Sequence, residues 1–173
     1  MEYIVDLLKI VLPAGLVIYG MYIITVSFLK KEWNQKQLEL KTKNTEVILP
    51  VRLQAGERLC LLLERITPNS LVRRINQGGL SAAELHIQLI SEVREEFNHN
   101  LSQQVYFTDE TWESIRNAVE QVITLINRAY QDLNKEAVGL DLAKRIFHLS
   151  MEQQNDTLAQ ARKNVKSEIR VYF

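Results

Sequence analysis

Residues 81–101 read SAAELHIQLISEVREEFNHNL. Ser81 stands three residues before Glu84, the spacing at which each side chain can bond the other's backbone N–H at a helix start. Behind that capping box Leu85, Leu89, Val93, Phe97 and Leu101 recur every four residues. That interval stacks side chains on one face of an α-helix and suits no strand. Working outward, Thr108-Asp109 starts a second amphipathic helix. Its buried face is marked by Trp112, Ile115, Val119, Val122, Ile123, Ile126 and Tyr130. Gly139 interrupts the pattern, and Asp141 is placed to cap a helix carrying Leu142, Ile146, Phe147 and Leu149. Asn155 or Asp156 caps a last helix that ends near Tyr172.

Toward the amino terminus, Pro50 suits the first turn of a helix over 51–66, striped by Leu53, Leu59, Cys60, Leu62, Leu63 and Ile66. Thr67-Pro68 starts a short helix that Gly78-Gly79, after Gln77, ends. No segment alternates apolar and polar residues as a half-buried strand does. The expectation is an all-α chain, with about five or six helices in residues 51–173.

The 173 residues carry 21 basic and 21 acidic side chains. Neutrality argues against a nucleic-acid partner, since binding phosphates by counterion release needs a basic face. Hydrophobic residues at 46% and charged ones at 24% are those of a folded chain. A single cysteine, Cys60, excludes an internal disulfide framework and a multi-cysteine metal site.

Between Lys9 and Lys30 lie IVLPAGLVIYGMYIITVSFL, from Ile10 to Leu29, with no charge among them. Such a run has the length of a transmembrane helix, about 20 residues. Glu2 and Asp6 precede it and no small-residue cleavage pattern follows, so it reads as a retained anchor and not a signal peptide. Tyr19 and Tyr22, three apart, share a face of it. Lys30, Lys31, Lys36, Lys41 and Lys43 follow the run, which places the amino terminus outside and the remainder in the cytoplasm. Lys30, Lys31 and Trp33 then serve as interface anchors against the lipid bilayer. The domain boundaries expected are an anchor over 1–30, a juxtamembrane stalk over 31–50 and a helical cytosolic domain over 51–173.

Chemistry-bearing patterns are few. Glu96 and His99 form a Glu-x-x-His pair on one helix face, as in di-iron bundles, but no second pair exists in the chain. Cys60 sits among leucines, the setting of an inert buried thiol. Glu57-Arg58 and Glu64-Arg65 recur seven apart, as a solvated face or the charged rim of an interface. Arg73-Arg74 sits on the short helix. Asn98, His99, Asn100, Ser102, Gln103 and Gln104 crowd the end of the long helix, with Tyr106 and Phe107 beside them. Such a cluster is either a fraying end whose amides cap backbone groups or a polar recognition surface.

The stretches LPVRLQAGERLCLLLERITPNSL, GLSAAELHIQLISEVREEFNHNLSQQVY, TWESIR and GLDLAKR resemble a family of uncharacterised Bacteroidota proteins. Those proteins have one amino-terminal membrane helix and a small helical cytosolic domain. The resemblance runs from about residue 49 to residue 145 and implies the bacterial inner membrane; it carries no catalytic residue across. The function expected is a membrane-anchored, non-catalytic scaffold. It binds a membrane or cytosolic protein, a second copy of itself included, and needs no cofactor. The alternative is a metal-dependent enzyme built on Glu96 and His99, completed by other acidic residues or a second chain.

Overall fold

The computed structural model describes residues 2–76, 78–134, 136–152 and 156–171, with the side chains of residues 2, 4–14 and 40–45 outside that set. Of the residues used above, Gln77, Asn155 and Tyr172 lie outside the described residues, as do the side chains of Glu2, Asp6, Lys9, Ile10, Lys41 and Lys43. The helices are α1 (Glu2–Arg65), α2 (Pro68–Ile75), α3 (Ala82–His99), a 3₁₀ helix (Leu101–Tyr106), α4 (Asp109–Gln131), α5 (Gly139–Glu152) and α6 (Thr157–Arg170). Among the described residues there is no strand, only an isolated antiparallel bridge between Ser81 and Val138. The chain divides into two units, Met1–Ile48 and Leu49–Phe173.

In the second unit the core is continuous. Leu59, Leu62, Leu63 and Ile66 meet Leu71 of α2, Leu85, Leu89 and Val93 of α3, and Ile115 and Ile126 of α4, all buried. Leu142 and Ile146 of α5 and Ala161 and Val165 of α6 complete it. Helix α4 is the hub, packing against α3, α5 and α6. That role explains why its apolar face is the widest: Ala118, Val119, Val122, Leu125 and Ala129 are buried as well.

Helix starts follow their capping residues. Ser81 Oγ accepts from Glu84 N at 3.2 Å while Glu84 Oε2 accepts from Ser81 N at 2.9 Å. Thr108 caps α4 and Asp156 caps α6. Thr67 behaves differently: its hydroxyl donates back to the Glu64 carbonyl, and Pro68 opens α2 without a side-chain cap. Gly139 begins α5 and does not interrupt it. Asp141 is therefore in the first turn, reaching back to accept from Val138 N at 3.3 Å. Gly78 and Gly79 take φ of +84° and +77°, the left-handed region that favours glycine, after α2. The stripe expected to run through Leu101 stops short because α3 ends at His99, leaving Leu101 exposed.

Glu84 provides the first prediction. The Ser81 backbone N–H, and next the Ser81 hydroxyl, hold its carboxyl below the usual carboxylate range. A lowered folded value means the box stabilises fully above the ordinary glutamate value, about 4.3, and is lost as pH falls through the lowered one. Ser81→Ala removes the hydroxyl and keeps the N–H. An NMR titration of Glu84 in that variant should give a midpoint raised part of the way; an unmoved midpoint would refute the geometry.

Two further sequence expectations are corrected. Pro50 does not start a helix; it lies inside α1. Proline lacks the donor for the carbonyl four residues back, that of Glu46, and both residues are exposed, where water can substitute. The second correction concerns the transmembrane span. Among the described residues no helix is long and apolar enough to cross a membrane. The uncharged run closes at Leu29. Lys30, Lys31 and Glu32 follow at once. The single-pass topology and inner-membrane address are withdrawn with the span, as are the roles of Ile10 and Leu29 as its ends and of Lys30, Lys31 and Trp33 as its anchors. Tyr19, Tyr22 and Trp33 are exposed on α1.

Candidate interaction site

The crowded polar segment after α3 resolves into two parts. Asn100 is the hinge, with φ −103° and ψ 4°, a conformation that ends the α-helix and opens the 3₁₀ helix. Its backbone N–H donates to the Phe97 carbonyl at 3.0 Å. Its side-chain Nδ2 donates to the Glu96 carbonyl at 2.8 Å, so this buried amide does the capping. Asn98, His99 and Gln104 are exposed and take no part in the groove described next.

Gln103 and Tyr106 face a groove of about 430 Å³ within the second unit. One wall is the 3₁₀ helix with Ser102, Gln103, Val105 and Tyr106; the other is the stretch of α1 bearing Val51, Gln54, Ala55 and Arg58. Beside the α1 wall, the bare Gly56 position lets Ile169 of α6 approach closely, with Phe107 in ordinary contact distance. A Cβ there would lie 1.8 Å from Ile169 Cδ1 and 3.7 Å from Phe107 Cζ. Phe107, directly after the 3₁₀ helix, is partly buried against the core. Val105 is 79% exposed and Val51 40%, so the groove's apolar surface faces outward.

The groove's polar groups are underused. Gln103 is only 8% exposed, yet its side chain makes one hydrogen bond, Nε2 to Ser102 Oγ at a long 3.4 Å. Arg58 has no ion-pair partner among the described residues, nor has Glu57, whereas Arg52, Glu64 and Arg65 are paired. Glu64 pairs with Arg162, Arg65 with Glu96 at 2.6 Å, and Arg52 with Glu168 at 3.3 Å. The charge repeat seen in the sequence is thus divided: one copy braces the fold, and Arg58 is left to the groove.

Glu96 lies between two guanidinium groups, Arg65 at 2.6 Å and Arg74 at 3.6 Å, and Arg74 also pairs with Glu92. A metal cation bound there would have to displace both. His99 is exposed. Among the described residues no group of three or more His, Cys, Asp or Glu side chains is placed to hold a metal ion. The Cys60 thiol is pushed up by burial, with Lys166 and Arg162 pulling it partly back, which leaves it a poor nucleophile at neutral pH.

Other pairings had no sequence signal. His86 stacks on Tyr130 with centroids 4.4 Å apart, and its Nε2 lies 2.8 Å from Asn127 Oδ1. These residues are brought together by the packing of α3 on α4. Gln54 and Val51 carry no sequence signal for the groove, because nothing in the spacing of α1 says which side the 3₁₀ helix will cover. A second cleft, of about 370 Å³, lies between the start of α2 and the start of α6. Its one carboxylate, Asp156, already accepts from Ala159 N at 2.9 Å.

One family has a sequence model that matches the chain: a family of unknown function (DUF7935), over residues 2–172. No curated protein and no solved structure gives a match.

Proposed function

The chain belongs to DUF7935, and from that premise we propose that it is a helical protein-interaction module whose contact surface is the groove between α1 and the 3₁₀ helix. The observation that carries this reading is Gln103: a residue only 8% exposed, lining an open groove, whose amide makes one long hydrogen bond. Among the described residues no buried side-chain nitrogen or oxygen lacks a partner, so the rest of the Gln103 amide opens to the solvent of the groove, where a partner's polar groups can replace water. Exposed Val51 and Val105 beside it supply apolar contact area. The partner is a second protein or a second copy of this chain.

Photocrosslinking in cells tests this. A benzoylphenylalanine placed at Val105 should give an adduct of one discrete mass. The same probe at Ile87, exposed on α3 and distant from the groove in sequence, should not. No adduct from position 105, or equal adducts from both positions, would remove the reading.

A further inference from the structure

We infer that the groove takes an extended peptide segment carrying a carboxylate beside an aliphatic side chain. The inference rests on the interaction reading above and specifies its ligand. The first observation is again Gln103. A primary amide offers two donors and a carbonyl acceptor. Among the described residues only one donor is engaged, at 3.4 Å, longer than the 2.7–3.2 Å usual for such a bond. An extended main chain presents a C=O and an N–H together, the complement of such an amide. Gln54, exposed on the opposite wall, offers a second amide.

The second observation is charge. Arg58 is the one charged residue among those lining the groove, and it has no ion-pair partner among the described residues. An unpaired guanidinium with no carboxylate on either wall selects an anion, and its planar fork matches a carboxylate with two parallel bonds. The third is the apolar strip of Val51, Ala55 and Val105. It suits Leu, Ile or Val on the segment and gives a further cationic side chain nothing to gain. A groove of about 430 Å³ is in the range of sites that hold small ligands, so it engages a few residues of the segment and not a whole helix.

The test uses the full chain and two fluorescein-labelled hexapeptide mixtures. One alternates Glu or Asp with Leu, Ile or Val; the other has Lys in place of the acids. In fluorescence anisotropy the acidic mixture should bind saturably below about 1 mM and the basic one should not. Arg58→Ala should weaken acidic-peptide binding about tenfold or more, the size expected for a charge-assisted bond. Val105→Glu should weaken it comparably by repelling the carboxylate, and circular dichroism would verify that both exposed-site variants keep their helix content. Equal binding of the two mixtures, indifference to Arg58→Ala, or no binding at about 1 mM would overturn the inference. So would self-association that Val105→Glu abolishes, because it assigns the groove to a second copy. If peptides fail while the position-105 crosslink still gives its discrete adduct, only the ligand chemistry falls; if both fail, the interaction reading falls with it.

Discussion

Gly56→Leu should lower the stability of the second unit by about 2–3 kcal/mol, read as a lower urea midpoint at unchanged slope. Gly56 is buried in α1, and a Cβ built on it would lie 1.8 Å from Ile169 Cδ1 and 3.2 Å from Ile169 Cγ1. Both atoms are in a flexible side chain. Gly56→Ala is consequently expected to be nearly neutral: Ile169 turns aside, and alanine gains up to about 1 kcal/mol of helix propensity over glycine. Leucine adds three more carbons, and those need the volume held by Ile169 and by Phe107 together. Ile169→Ala in the same chain should recover at least half of the loss, a coupling of about 1 kcal/mol or more between residues far apart in sequence. If the two substitutions simply add, the last turn of α6 does not pack on this part of α1. Because Phe107 follows the 3₁₀ helix directly, Gly56→Leu should also weaken whatever occupies the groove.

How far these features are readable in advance depends on the range of the interaction that makes them. Ser81 with Glu84 and Thr108 with its following turn are local pairs, and they mark helix starts in the sequence as they do in the fold. The apolar intervals of α4 likewise name its buried face, because a helix periodicity needs no knowledge of the partner. Gly139 and Pro50 behave otherwise than their local chemistry predicts, for the opposite reason. Gly139 starts α5 because its N–H is drawn to the Leu80 carbonyl at 2.8 Å, a contact across 59 positions. Pro50 reads as a helix start from its chemistry alone, yet α1 continues through it. The apolar run at 10–29 has the composition of a span, while the described helix offers no stretch long and apolar enough to be one. In the candidate site, the polar crowding at 98–104 announced that something happens there. It could not say that the Asn100 amide would cap α3 while the Gln103 amide makes one long bond to Ser102 beside the groove. Arg58 and Arg65 are equivalent in the heptad-spaced repeat; only tertiary packing gives one of them Glu96.

Glu168→Ala should cost about 2–3 kcal/mol, an effect that a count of surface charges would never suggest. The carboxylate is a junction: Oε1 accepts from Thr108 N at 3.0 Å, Oε2 accepts from Thr108 Oγ1 at 2.9 Å, and Arg52 Nη2 reaches Oε1 at 3.3 Å. Its side chain is only 13% exposed, so water replaces little of what is lost. The hydroxyl bond has a second effect. With its hydrogen committed to Glu168, Thr108 Oγ1 presents a lone pair to Thr111 N, which it accepts at 3.4 Å as the cap of α4. Removing Glu168 frees the hydroxyl to rotate and weakens the cap on the helix around which the core is built. Thr108→Ala alone should cost about 1 kcal/mol, and the double variant should cost less than the two singles summed, since both remove the same bonds. Glu168→Gln, which keeps one acceptor oxygen but sets an amide donor against another donor, should fall between wild type and Glu168→Ala in urea unfolding. Additive losses would mean that Glu168 and Thr108 act separately. The junction also bears on binding. Arg52 follows Val51 of the α1 wall without itself lining the groove, Thr108 follows the 3₁₀ wall by two residues, and Glu168 bonds to both. Glu168→Ala should therefore loosen acidic-peptide binding under conditions where the chain remains folded, although Glu168 itself does not line the groove.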